Sequence, residues 1–191
     1  DSVAMEHVTD AAGSLRAQFE ALLSMGLPNS SMAGARIRVC SGNFVTAKPL
    51  GVVDGVDFHH TGKVRRIDSI GIRQQLGENS IVLLSPLGYS PTGEVFNLSL
   101  EDIAVQCAIA VKADKLMLFG EQAGLIDDKG DLLRQCAAGS LAKLEVENAE
   151  QASLLNTARL ACSSGVPRCH IVSYVDDCAL LEELFTHDGS G

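Results

Sequence analysis

Apolar residues recur along this chain at two spacings, and the spacings divide it into elements. Val3, Val8, Ala12, Leu15, Phe19 and Leu22 fall at helical intervals and predict a long first helix to about Met25, stopped by Gly26 and Pro28. Arg36–Cys40 and Asn43–Ala47 read as strands joined at Ser41–Gly42, and Lys63–Ile67 alternates as a strand does. Val52–Gly62 between them reads as a connection rich in glycine and aspartate. Asp68 is placed to cap a short helix that ends at Gly77. The unbroken apolar run Ile81–Leu84 predicts a strand covered on both faces, followed by a long loop, Pro86–Glu94, holding Gly88, Pro91 and Gly93. Ser99 and Asp102 form a capping-box pattern for a helix to about Lys112.

The second half continues the alternation. Leu116–Phe119 predicts a buried strand, and Gly120–Gly124 a loop. Leu125–Asp131 predicts a hairpin with Lys129–Gly130 at its tip, and Ala137–Ser140 a linker. Glu147–Ser164 predicts a helix with Leu154, Leu155, Ala158 and Cys162 facing inward. Arg168–Tyr174 predicts a buried strand, and Asp176 or Asp177 a cap for a last helix with apolar positions Leu180, Leu181, Leu184 and Phe185. Gly189–Ser190–Gly191 reads as a closing glycine turn. Strands alternating with helices imply right-handed crossovers and a mostly parallel open sheet between helix layers, a three-layer αβα sandwich. Ligands bind such sheets at the carboxyl edge of the strands, where the pattern places Gly88, Gly93 and Asn97. His170, Glu182 and Glu183 are the polar candidates at the last strand and helix. Each has a plainer reading: the two glutamates also fit a solvated helix face, and His170 a structural histidine. Gly88 and Gly93 also fit backbone needs of their loop. Asp127–Asp128 and Asp176–Asp177 read as turn and cap residues, and His59–His60 lacks a metal-ligand partner at useful spacing, so no metal site is expected.

Composition narrows the classes. In 191 residues, 46% hydrophobic and 20% charged residues suit a folded core rather than a disordered chain. The net charge of −9 argues against a nucleic-acid surface and disfavours an acidic membrane as partner. No apolar run reaches spanning length. Six cysteines without a CxxC pair read as small buried hydrophobes in a reducing compartment, which points to the cytoplasm. Because the chain starts at Asp1 inside a helical pattern and stops in a glycine turn, we expect a fragment of something longer.

Three stretches carry a resemblance. Gly165–Gly191 (GVPRCHIVSYVDDCALLEELFTHDGSG), Ser41–Asp68 (SGNFVTAKPLGVVDGVDFHHTGKVRRID) and Ser80–Ala104 resemble the amino-acid-kinase-like domain of bacterial N-acetylglutamate synthases, and the similarity spans essentially the whole chain. The resemblance implies a carbamate-kinase-like α/β fold truncated at its start, so that residues 1–191 are a partial regulatory domain. It also implies that acetyl transfer from acetyl-CoA to glutamate belongs to an acetyltransferase (GNAT) domain beyond Gly191. No cofactor is then expected in this domain, acetyl-CoA being the substrate of the other. Arginine-sensitive relatives bind L-arginine beside the last strand. Carried over by motif, the guanidinium carboxylate falls on Glu183, the nearby histidine on His170 and the loop on Gly189, Ser190 and Gly191. A carboxylate can accept a guanidinium through two parallel charge-assisted hydrogen bonds. Cys178 stands where the family has glycine.

Related kinases offer a rival reading. Their N-x-N-x-D motif becomes Asn97–Leu98–Ser99–Leu100–Glu101, so Asn97 and Glu101 mark a vestigial kinase site. Their Gly-Gly-Met stretch becomes Ala149–Glu150–Gln151, with Leu154 at the lysine position. A kinase that phosphorylates N-acetylglutamate with ATP is therefore the weaker reading. A non-catalytic assembly module is the third, since relatives form rings through this domain and a homo-oligomer is expected.

Overall fold

The structure is a computed structural model. It describes the chain apart from residues 1, 26–27, 30–32, 123, 127–131, 134–135, 142–143, 145, 147 and 186–191. The described residues form two units, Asp1–Val111 and Lys112–Gly191, each taken by itself.

The first unit opens with helix α1 (Ser2–Leu23) and continues through β1 (Arg38–Cys40), β2 (Val45–Pro49), β3 (Val52–Val53), β4 (Val56–Asp57), β5 (Gly62–Ile67), α2 (Ser69–Gly77), β6 (Ser80–Val82), β7 (Leu87–Tyr89), β8 (Val95–Asn97) and α3 (Leu100–Val111). Strands β1 and β6 pair in parallel, Arg38 opposite Ser80. A second sheet runs β5–β2–β7–β8, parallel between β2 and β7 and antiparallel at its two outer pairs. Its core face carries Val45, Ala47, Ile67 and Phe96 against Ile72 of α2 and Ile103 of α3. The capping expectations hold. The Asp68 side chain accepts the Gly71 N–H at 3.0 Å, and the Asp102 N–H donates to the Ser99 hydroxyl at 3.3 Å. Asp102 itself turns outward from its helix and accepts the Val64 N–H of β5 at 3.0 Å.

Three expectations change in this unit. The Val52–Gly62 connection contains the β3–β4 hairpin, turned at Asp54 (φ 51°) and Gly55 (φ 80°); two left-handed residues in a two-residue turn match the right-handed twist of the strands. The Pro86–Glu94 loop is largely the β7–β8 hairpin, so Gly88 lies inside a strand rather than in an edge loop. A Cβ there would stand 2.6 Å from Leu98 Cδ1 and 2.8 Å from Ala47 Cβ, so close sheet packing requires the glycine. Gly93, at φ 88°, supplies the hairpin turn. Finally, β6 is not covered on both faces, since Ile81 is exposed.

The second unit runs β9 (Leu116–Gly120), β10 (Leu125–Ile126), β11 (Leu132–Leu133), α4 (Ala138–Leu141), α5 (Ala149–Ser163), β12 (Cys169–Ser173) and α6 (Ala179–Phe185). Strands β9 and β12 pair in parallel, Cys169 opposite Leu116 through Ser173 opposite Gly120. Ile171 packs into the cluster of Leu125, Leu141 and Leu155, on the α5 side. His170, one residue earlier, meets α6. Successive strand side chains point to opposite faces, so α5 and α6 cover opposite faces of this sheet, the αβα layering expected. The 137–140 linker is instead mostly helix α4, held by Arg159, whose guanidinium donates to the Leu141 and Leu144 carbonyls. The hairpin tip Lys129–Gly130 and the pair Asp127–Asp128 lie outside the described residues.

Candidate functional site

The carboxyl end of β12 sets the position of α6. The Tyr174 N–H donates to the Gly120 carbonyl at 2.9 Å, extending the parallel ladder by one residue. The buried Ser173 hydroxyl donates to the Glu121 carbonyl at 2.9 Å and accepts the Val175 N–H at 3.0 Å. The chain then turns through Asp176 and Asp177 to Cys178, which has φ 75° and whose carbonyl accepts the Glu182 N–H at 2.9 Å. Cys178 thus holds the position at the helix start that the sequence assigned to an aspartate cap, and the two aspartates lie in the preceding turn.

This start fixes which side of α6 turns inward. Ala179 and Glu183 are buried, at 3% and 7% exposure, whereas Leu180, Leu181, Leu184 and Phe185 are exposed. The expectation that the four apolar residues form the inner stripe is therefore overturned. At about 100° per residue, a helix cannot bury both sets, and the turn selects the Ala179/Glu183 side. The solvated-face reading fails for Glu183 and holds for the exposed Glu182. The Glu183 carboxylate contacts Nδ1 of His170 in a charge-assisted pair; the imidazole keeps 26% of its side-chain surface exposed. A buried carboxylate without a partner would be costly, so the pairing accounts for its tolerance on the inner side.

His170 also belongs to the wall of a cavity of about 430 Å³ in the same unit. Leu125 and Leu133 of the β10–β11 hairpin, Leu141 of α4, Cys162 of α5, and Arg168 and Cys169 at the start of β12 contribute to that wall. Volumes of roughly 300–1,000 Å³ with a few convergent polar groups suit small-molecule ligands. Burial pushes the Cys169 thiol up to about 12, with the neighbouring Cys162 adding to the effect, and burial raises Cys162 as well. Both thiols are therefore neutral wall at physiological pH. Arg168 and the cavity escaped the sequence reading, because the wall joins the expected hairpin to α4, a helix read as a linker, and a space between separate elements leaves no local pattern. Gly189, Ser190 and Gly191 lie outside the described residues.

The carboxyl edge of β9 bears on the kinase rival. Asn148 caps α5, its side chain accepting the Glu150 and Gln151 N–H groups. Glu150 Oε1 accepts the Glu121 N–H at 3.2 Å, and Gln151 Oε1 the Ile126 N–H at 3.4 Å. Leu154 packs against Gly120, its Cδ1 2.7 Å from where a Cβ would stand. Acceptor side chains thus take one backbone donor of the loop after β9 and one of β10, and an aliphatic side chain stands where the kinase pattern has a lysine.

In the first unit, Asn97 ends β8, where its N–H donates to the His60 carbonyl at 2.8 Å. It borders a cavity of about 290 Å³ with Met5, Phe58, His59 and Thr61. His59 Nδ1 lies 3.6 Å from Asp57, and the His60 ring 6.5 Å from that of Phe96. Glu101 occupies the first turn of α3, where the Ser99 hydroxyl donates to its carboxylate and holds its pKa below the ordinary value.

The pattern of the amino acid kinase family matches residues 1–173. An amino-acid acetyltransferase of Azotobacter vinelandii is 58% identical over 193 residues, covering all of this chain and 45% of the relative. One from Pseudomonas fluorescens is 57% identical over 195 residues, with the same coverage. Among solved structures, N-acetylglutamate synthase from Neisseria gonorrhoeae complexed with coenzyme A and L-arginine superposes with a TM-score of 0.91 at 34% identity, over 99% of this chain and 45% of that one. The same enzyme complexed with coenzyme A and N-acetyl-glutamate gives 0.87 at 33% identity. The chain spans less than half the length of the relatives it matches. Among the described residues, no helix is long and apolar enough to cross a membrane.

Proposed function

The chain belongs to the amino acid kinase family, and on that premise we propose that it is the effector-sensing part of a cytoplasmic amino-acid acetyltransferase of the N-acetylglutamate synthase kind. In this reading the longer protein moves acetyl from acetyl-CoA to L-glutamate in arginine biosynthesis. That chemistry falls to the part of the relatives that this chain does not span. This part binds L-arginine and alters the transfer at a distance.

The observation that carries the reading is the Glu183 carboxylate, buried on the inner side of α6 and paired there with the half-buried His170. A guanidinium is planar, always charged and able to take both carboxylate oxygens. It can replace or share the imidazole partner without leaving the carboxylate unpaired. Gly189, Ser190 and Gly191 are proposed to belong to the same arginine site. A solved relative of high structural similarity was crystallised with L-arginine, which adds support. The kinase alternative is disfavoured by Glu150, Gln151 and Leu154 at the carboxyl edge of β9, since acceptor oxygens repel phosphates and leucine brings no charge. Asn97 and Glu101 are then remnants of that site, Glu101 now serving its own helix.

A second observation favours self-association. On α1, Leu15, Phe19 and Leu22 form a stripe, each more than half exposed. We read that stripe, in the first unit, as a homo-oligomer surface. Calorimetric titration of the full-length protein with L-arginine tests the sensing role, with binding expected in wild type and lost in Glu183→Gln. Sedimentation of Phe19→Glu tests the stripe, with a smaller assembly expected.

A further inference from the structure

Glu183 already has a partner that can carry charge, and the proposed ligand brings another. The Glu183 carboxylate is buried and contacts Nδ1 of His170. A carboxylate only accepts, so Nδ1 carries the hydrogen of that contact. The ring keeps 26% of its side-chain surface exposed, so its other nitrogen can exchange a proton with water. The charged groups around the pair come from β12, β9, α6 and the turn before α6. Arg168, exposed, stands two residues before His170 and shares its face, in line with the ladder bond from the Leu116 N–H to the Arg168 carbonyl. Lys115 precedes β9, whose Met117 lies opposite His170 and brings no charge. Glu182 on α6 and Asp176 and Asp177 in the turn are exposed. Cys169 points to the other face of β12, and burial keeps its thiol neutral. Carboxylates, lysines and arginines ordinarily titrate well outside pH 6–8, whereas an imidazole titrates within it.

We propose that L-arginine takes its place at Glu183 by expelling a proton from His170, so that the site reads acidity together with the effector. The inference rests on the sensing role above and names how that site is regulated. A guanidinium is always charged and cannot shed its proton, whereas an imidazolium can. Held together at one buried carboxylate, the two would set two cations against one anion where water screens poorly. Loss of the imidazole proton removes that conflict. The neutral Nδ1 then turns from donor to acceptor and can take one of the guanidinium N–H groups. The exchange balances: the protonated site and an arginine cation give the complex and one proton. One N–H bond breaks at the ring, and one O–H or N–H bond forms on water or buffer. Arginine thus competes with a proton. Its affinity is weakest in acid, rises with pH while the free site still binds that proton, and levels off once the free ring is neutral. Exchange of one proton limits the slope to about tenfold per pH unit, and arginine weakens proton binding by the same factor that the proton weakens arginine.

The test is calorimetric titration of the full-length protein with L-arginine at pH 6, 7 and 8, each in two buffers of unlike protonation enthalpy. Wild type is expected to bind at least about fivefold more weakly at pH 6 than at pH 8. Its heat of binding at pH 6 is expected to differ between the buffers, which records the released proton. His170→Gln keeps a hydrogen-bonding side chain and loses the titrating one. Whatever its affinity, that affinity is expected to change less than about twofold over the same range, with equal heat in both buffers. His170→Asn serves as the second variant. Nuclear magnetic resonance of wild type with isotope-labelled histidine identifies the group without relying on a variant's affinity. At pH 6, the His170 ring signals are expected to move toward the neutral-imidazole position as arginine is added. Binding by wild type with constant affinity and buffer-independent heat overturns the proposal and leaves the sensing role standing. The same linkage in either histidine variant, or His170 signals that stay in place as arginine binds, also overturns it, since another group then carries the proton. No arginine binding by wild type at any pH refutes the sensing role and this proposal with it.

Discussion

Glu183 on the inner side of α6 is paired with His170 on β12, a contact between the last helix and the strand that precedes it. The pair joins a layer of the sheet to the helix covering it, so it is a packing device as well as a candidate binding group. Glu183→Ala is expected to cost about 1–3 kcal/mol of stability, since it removes a buried partner and leaves a cavity. Glu183→Gln, which keeps shape and one acceptor, is expected to cost less. Denaturant titration of the two variants checks the order.

Cys178 has φ 75°, a backbone region that costs an ordinary L-residue roughly 1 kcal/mol and glycine nothing. Cys178→Gly is therefore expected to raise stability by about 0.5–1 kcal/mol without changing ligand affinity. A fall in the midpoint of unfolding would show that the thiol makes a contact outweighing the strain.

Gly88 admits no Cβ in the present packing, with Leu98 and Ala47 both under 3 Å away. Gly88→Ala is expected to cost about 1–3 kcal/mol through overpacking of the β2–β7 contact. Leu98→Ala in the same chain is expected to recover part of that loss, and thermal melting of the double variant measures the coupling.

The cysteines separate by environment. Cys178 is exposed, whereas burial raises the thiols of Cys107, Cys162 and Cys169. Alkylation near neutral pH is expected to label Cys178 first and Cys169 last, read by mass spectrometry. Cys169 also predicts a pH effect. Between its ordinary value of 9.0 and about 12 in the folded chain, the unfolded thiol has lost a proton that the folded one keeps. Stability is therefore fully present below pH 9 and declines as pH rises toward 12. Cys169→Ala is expected to flatten that decline, and unchanged alkaline unfolding would contradict the assignment.

Much of this was legible in the sequence, for identifiable reasons. Helices α2, α3 and α5 announced themselves through Asp68, Ser99 and a periodic apolar run, because capping and periodicity are local effects. The β3–β4 hairpin was also legible: Asp54–Gly55 between valines is a strong two-residue turn signal that was absorbed into a longer connection. The β7–β8 hairpin was hidden by Gly88, whose small side chain is demanded by Leu98, a neighbour no local pattern reveals. For α6, the apolar spacing was read correctly and its direction was not. Leu180 and Leu184 look like an inner stripe until the turn at Cys178 and the pairing of His170 place Glu183 inside. Periodicity finds the stripe of a helix; only the surrounding protein decides which stripe it buries.

The central claim is that Glu183 receives the guanidinium of a free amino acid. Isothermal titration of the full-length protein with L-arginine, set beside L-citrulline and repeated on Glu183→Gln, tests it most directly. Wild type is expected to bind arginine and to bind citrulline, which lacks the charge, at least about tenfold more weakly, and the variant to lose arginine binding. Equal affinity of wild type and Glu183→Gln for arginine would contradict it.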